Sequence, residues 1–295
     1  MTDLPEHVSI WAELADTDHE LRHVDVRGVR TRVLRAGSGP DLVLLHGTGG
    51  HLEAYARDIA GLARDFRVTA YDMVGHGWSG LPDQPYTIDV LCDHLTGLLD
   101  ALDIGTAHLS GESLGGWVAA RFALTQPDRL ARLVLNTTGG SAARPEVMAR
   151  IKELSQRAAD SPTWEFIKAR LEWLMADKAV VTDDLVATRQ AIYASAGFGQ
   201  AMRNALVLQE MDVRRRNLLA DADWSRIAAP TLVLWTTHDP TNPVNEGHRI
   251  ASLIPGASFA VMEHCGHWPQ FEDADTFNRI HLAFLRGQDI SSFTV

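Results

Sequence analysis

Cysteine is scarce in this chain: of 295 residues only Cys92 and Cys265 are cysteines, and they lie far apart. Two such residues make no disulfide framework, so reduced thiols are expected. Positive charge is scarce as well. The 27 lysines and arginines against 38 aspartates and glutamates leave a formal net charge of −11, and the best basic cluster, Arg214 to Arg216, is short. Phosphate backbones bind clustered Lys and Arg, so no nucleic-acid partner is expected. No apolar run approaches the roughly 20 residues needed to cross a bilayer. The opening "MTDLPEHVSIWAELADTDHE" has neither the basic flank nor the apolar stretch of a secretory leader. The expectation is a cytoplasmic protein with no membrane partner. The segment "GSGPDL" lacks the glycine spacing of a dinucleotide fingerprint and the helix that should follow it, so no cofactor is expected. His264, Cys265 and His267 stand close together but complete no closed zinc pattern, so no metal is expected either. There is no fixed-period repeat and no low-complexity tract.

What remains is 45% apolar and 22% charged, the profile of a globular chain long enough to be an enzyme. Its length suits one large domain or a domain carrying a sizeable insertion. "LRHVDVRGVRTRVLRAG" alternates apolar and polar residues on both sides of Gly28, which predicts an antiparallel hairpin. "LVLLHG", "FRVTAYD", "TAHLS", "LARLVLN", "APTLVLW" and "ASFAVME" are short apolar runs, as strands buried inside a sheet are. Stretches such as "HLEAYARDIAGLARD" and "VLCDHLTGLLDALD" lie between them with helical spacing, and strands alternating with helices predict a mostly parallel α/β sheet. The alternation breaks between about Gly139 and Ala228, where apolar residues recur at helical spacing, as in "WEFIKARLEWLMAD". The expected organisation is a core of residues 1–138 and 229–295 with a helical cap, 139–228, inserted into it.

In "LSGESLGGW", Gly111-Glu112-Ser113-Leu114-Gly115 sits between a strand and a helix and fits the G-x-S-x-G pattern of a nucleophile elbow. Glycines at both ends let strand and helix approach while the serine projects its hydroxyl into a cleft. A serine hydroxyl is a weak nucleophile and needs a base and an orienting acid, in the chain order Ser, acid, His. Asp239 in "TTHDP" and His267 in "HCGHWPQ" both follow strands and complete the set. The opening helix dipole and the N–H of Leu114 would hold an oxyanion, with a second donor in "HGTGG", for which Thr48 is the candidate. Asp72 and His76 in "DMVGHGWSG" lie near the same sheet end, where the glycine-rich loop is expected to shape a turn.

"LLHGTGG", "DMVGHGWSG", "SGESLGGW", "TTHDP" and "GHWPQFED" together resemble the α/β-hydrolase superfamily with an inserted cap, over nearly the whole chain. Within it, the ending "CGHWPQFEDADTFNRIHLAFLRG" is similar to hydrolases of meta-ring-cleavage products, which cut a C–C bond in 2-hydroxy-6-oxo-dienoates during aromatic degradation. That resemblance implies a small-molecule substrate, a tryptophan at the pocket, here Trp268, and a cap arginine gripping the substrate's carboxylate. "DDLVATRQAIY" looks like the cap segment and would assign that role to Arg189. The chain departs from the pattern at Glu112, where that family carries Asn, and in "GTGGHLEAY", where it carries Gly-Pro-Gly. A carboxylate beside the nucleophile repels an anionic substrate unless it points away or pairs with a cation. A carboxylesterase acting on a small or aromatic ester, and a slow-turnover small-molecule receptor, therefore stay open, as does homo-oligomerisation.

Overall fold

In a computed structural model that describes residues 9–293, eight strands form one sheet. They are β1 (His19–Val26), β2 (Val29–Ala36), β3 (Asp41–Leu45), β4 (Arg67–Tyr71), β5 (Ala107–Glu112), β6 (Leu130–Asn136), β7 (Thr231–Thr236) and β8 (Ser258–Met262). The first eight residues, where the expected core begins and where no secretory leader was expected, and the last two of the chain lie outside the described residues. The order is β1-β2-β4-β3-β5-β6-β7-β8. Only β2 runs antiparallel to its neighbours; from β4 to β8 all pairs are parallel. The β1–β2 hairpin closes through Arg27 and Gly28, both at positive φ, 52° and 84°. That is the two-residue turn whose twist matches paired strands.

Successive side chains of a strand face opposite sides of a sheet, and the central strands are apolar on both. Leu42 and Leu44 of β3 pack in one core cluster, Val43 and Leu45 in another. The first cluster holds α1 (Ala56–Leu62) and the second α2 (Ile88–Ala101) and α3 (Leu114–Thr125). Between β6 and β7 no strand occurs among the described residues. The segment instead carries α4 (Pro145–Asp160), α5 (Trp164–Glu172), α6 (Asp183–Tyr193), α7 (Phe198–Ala205), α8 (Met211–Asn217) and α9 (Asp221–Trp224). After β7 come α10 (Val244–Leu253) on the α3 side, then α11 (Pro269–Glu272) and α12 (Ala274–Leu285) on the α1 side. This is the mostly parallel, helix-flanked α/β-hydrolase architecture expected from the sequence. No helix among the described residues is long and apolar enough to cross a membrane.

The strand order reverses at β3, which lies between β4 and β5. Connections from β3 and β5 therefore leave in opposite directions and open a crevice at their carboxyl ends, the usual ligand position in open α/β sheets. The loop carrying Thr48 follows β3, and Ser113 follows β5.

Candidate active site

Ser113 joins the end of β5 to the first residue of α3 with φ 53° and ψ −112°. A side chain with Cβ pays strain there, and such strain persists only where the surroundings over-determine it. Here the surroundings are tight. A Cβ on Gly111 would lie 2.3 Å from the Gly115 carbonyl carbon, and one on Gly115 would lie 2.2 Å from the Leu45 carbonyl oxygen. The Ser113 N–H donates to Asn136 O at 3.0 Å, and its carbonyl accepts from Trp117 N and Gly139 N at 3.1 and 2.9 Å. Leu114 opens α3, so its N–H has no acceptor one turn back.

Asp239 follows β7 and His267 follows β8, and the structure brings the two together: His267 Nδ1 lies 2.9 Å from Asp239 Oδ1. The same oxygen accepts from the Thr241 N–H and hydroxyl, both at 2.8 Å, which fixes the carboxylate. Thr241 was not singled out in the sequence; its position two residues after an Asp is the signal of an Asx-type turn. Burial works against a charged imidazole, but the Asp239 charge and hydrogen bond, joined by the Glu112 charge, outweigh it and raise the pKa of His267. With Nδ1 held by Asp239, Nε2 is turned to Glu112, 3.3 Å from its Oε1.

Two narrow cavities meet at Ser113. Thr48, Ser113, Ile151 and Thr241 belong to both. The first is lined further by Glu112, Arg170, His267 and Trp268; the second by Leu114, Trp117, Met148, Gln209 and Arg214. The candidate nucleophile, base, both oxyanion candidates and Trp268 are thus all brought to one place. Arg189 is not among the lining residues. It is only 1% exposed, with its guanidinium 4.9 Å over the Trp268 ring and its Nε donating to His51 Nε2 at 3.4 Å. His51 passes the contact on to Glu53, which pairs with Arg32. Asp72 receives the N–H groups of Leu52 and Trp78 at 2.7 and 2.8 Å, so it does tie its glycine-rich turn together.

No site role for Arg170 or Arg214 was read from the sequence. Arg170 interrupts the apolar stripe Ile167, Leu171, Leu174, and a charge on the buried face of a helix is the signal that could have flagged it. Glu112 is fully buried, its Oε1 is 3.3 Å from His267 Nε2, and the Gly47 backbone N–H also favours its charged form. Burial pushes its carboxyl up to about 7 against the pull of the His267 charge.

That position has a measurable cost. As pH rises, Glu112 ionises first in the unfolded chain, near its ordinary 4.5, and only at about 7 in the fold. Stability is therefore lost between those values, by about 3 to 4 kcal/mol at 1.36 kcal/mol per pKa unit. Denaturation of Glu112→Gln and the parent chain at pH 5 and pH 8 should show the variant gaining on the parent as pH rises. Parallel curves would mean that Glu112 does not titrate there.

The sequence profile of the alpha/beta hydrolase fold matches residues 40–274. This chain belongs to that family. It is 32% identical over 280 residues to a 2-hydroxymuconate semialdehyde hydrolase of Pseudomonas sp. (strain CF600), covering 92% of this chain and 96% of that one. A 2-hydroxy-6-oxononadienedioate/2-hydroxy-6-oxononatrienedioate hydrolase of Burkholderia vietnamiensis is 34% identical over 264 residues, covering 85% and 88%. Among solved structures, a meta-cleavage product hydrolase of Pseudomonas fluorescens IP01 superposes with a TM-score of 0.78 at 29% identity, covering 90% of this chain and 97% of that one. The chain is thus an α/β-hydrolase similar to enzymes that act on meta-cleavage products.

Proposed function

We propose that this hydrolase cleaves the C–C bond of a 2-hydroxy-6-oxo-dienoate, with Ser113 as nucleophile, His267 as base and Asp239 as its orienting acid. The observation that carries the reading is the Asp239–His267 pair, 2.9 Å apart, lining the same cavity as the strained Ser113. Residues 139–228 act as the cap over a core of 1–138 and 229–295. Both cavities are narrow, so substrate entry requires cap side chains to yield.

The dienol is first ketonised, which makes the carbon leaving group an electron sink. His267 Nε2 takes the Ser113 proton as Oγ attacks the distal ketone. The N–H groups of Leu114 and Thr48 receive the oxyanion. The C–C bond breaks, its electron pair leaves on the dienolate carbon, and His267 returns a proton there. Water then attacks the acyl-serine, its OH ending on the acyl carbon and its proton on His267 before return to Ser113. Trp268 walls the leaving-group side, and Arg189, stacked on it, steadies that wall. The cap keeps bulk water from the ketonised intermediate.

The test is turnover of the purified chain on a yellow 2-hydroxy-6-oxo-dienoate, followed by bleaching, beside a panel of aryl esters. The dienoate should have the higher kcat/KM. Ester preference would favour the carboxylesterase reading, with Glu112 in place of the family's Asn as its basis. A single slow turnover with retained product would favour a receptor.

A further inference from the structure

His267 stands between two carboxylates, and all three side chains are buried. Asp239 Oδ1 lies 2.9 Å from Nδ1, and Glu112 Oε1 lies 3.3 Å from Nε2. The Asp239 side is tight, because the same oxygen also takes the N–H and hydroxyl of Thr241. The Glu112 side is looser, and a small approach brings it into the range of a hydrogen bond, about 2.7–3.2 Å. Its place is nevertheless prepared by the chain. A Cβ on Gly47 would lie 2.5 Å from Glu112 Oε2, so glycine there leaves the carboxyl its room, and the Gly47 N–H favours its charged form. Glu112, Ser113 and His267 line one cavity.

Each imidazole nitrogen offers one lone pair or one N–H. Nε2 needs its lone pair to take the Ser113 proton, and Glu112 faces that same nitrogen. A single proton held by the pair sits either on Nε2, facing a carboxylate, or on Glu112, facing the lone pair; in both cases Nε2 is no base. Resting on the Ser113–His267 reading above, we propose that Glu112 is a positioning residue acting through His267: it shares one proton with Nε2 and withholds the base from Ser113 until that proton has left the pair for solvent. The imidazolium then formed by deprotonating Ser113 is stabilised by two anions, Asp239 and Glu112. Glu112 therefore makes His267 a stronger base that is free only at higher pH. The groups facing the pair are Asp239 after β7, Arg170 on α5, Arg189 on α6 and, just before α1, Tyr55, whose buried phenol stays neutral. Both arginines favour ionised Glu112 and so hasten loss of the shared proton, and Asp239 opposes it. Burial holds Glu112 up to about 7 and, against its own burial, His267 is raised by Asp239 and Glu112, so the pair titrates in two linked steps.

Inactivation by diisopropyl fluorophosphate, a neutral reagent, reads the base whatever the substrate is: Ser113 Oγ bonds to phosphorus, fluoride leaves, and the serine proton goes to His267. The experiment measures its second-order rate constant from about pH 5 to about pH 9, with the label mapped to Ser113. In the parent the rate should rise with a midpoint above the ordinary imidazole value of about 6.5. Glu112→Gln, which cannot ionise, should lower that midpoint by about 1 pH unit or more and the plateau roughly 3-fold, so the curves cross and the variant is the faster in acid. Glu112→Asp, its carboxylate one methylene further from Nε2, should fall between the two. A midpoint depends only on the shape of a curve, so loss of folded protein leaves it unmoved. An unmoved or raised midpoint in Glu112→Gln, whatever its plateau, overturns the role, and a merely structural Glu112 gives that result. If Glu112→Gln does not fold, an unmoved midpoint in Glu112→Asp overturns it instead. Absence of label on Ser113 at every pH removes the Ser113–His267 chemistry and this role with it, whereas labelling with coincident midpoints removes Glu112 alone.

Discussion

Ser113→Ala should lose turnover by roughly 10⁴ to 10⁶-fold, the range found when a serine nucleophile is deleted from an intact triad. The fold should survive, because the hydroxyl makes no packing contribution that a methyl cannot replace. The elbow strain sharpens this test. Ser113 holds φ at 53°, and glycine visits that region freely, so Ser113→Gly should be as inactive as alanine yet more stable by about 1 kcal/mol, less the glycine's greater unfolded entropy. A thermal scan beside a turnover assay checks both halves. Residual activity above a few per cent in either variant, after excluding contamination by parent enzyme, would remove Ser113 from the chemistry.

The second large effect is at Gly115. A methyl there would sit 2.2 Å from the Leu45 carbonyl oxygen, which is backbone of β3 and cannot rotate away. The first turn of α3 would have to leave the sheet. Gly115→Ala should therefore cost more than about 4 kcal/mol, the exceptional range for a single substitution. Tm should fall on the order of 10 °C at the 2–4 °C per kcal/mol typical of larger domains. Whatever folds should turn over poorly, since the Leu114 N–H moves with the helix. By contrast Gly28, whose added Cβ would meet nothing within 4 Å, pays only for its φ of 84°, so Gly28→Ala should cost about 1 kcal/mol. Equal losses at the two positions would mean that conformation, not the close approach of β3, sets the cost at Gly115.

What the sequence exposed was local. The eight strands announced themselves as alternating or wholly apolar runs, and "DDLVATRQAIY" is α6, residue for residue. Ser113, Asp239 and His267 were readable because each is fixed by the turn that ends its own strand, and turn chemistry is written in neighbouring residues. Arg170 and Arg214 were not, because the side of the cavity each reaches depends on how α5 and α8 lie against the sheet, which no local pattern encodes. The same reason separates Arg189 from the cavity. Its helix was recognisable, but helix rotation sends its guanidinium to His51 and Trp268. The departure at Glu112 was visible; that its carboxyl would be fully buried 3.3 Å from the His267 Nε2 was not.

Among the bonds between residues 139–228 and the loops at the site, Tyr193 Oη donates to Gly49 O at 2.9 Å, and the His267 N–H donates to Leu174 O at 2.7 Å. One anchors the loop that carries Thr48, the other the backbone of His267, the proposed base. An outward swing of the cap by more than a hydrogen-bond length breaks both. Access and alignment are then opposed states of one mechanical element, and a molecule caught halfway in meets an unbraced base and oxyanion loop. On the function proposed above, water arriving through an open cap would find Ser113 idle, and the cap would time the reaction as well as roof it.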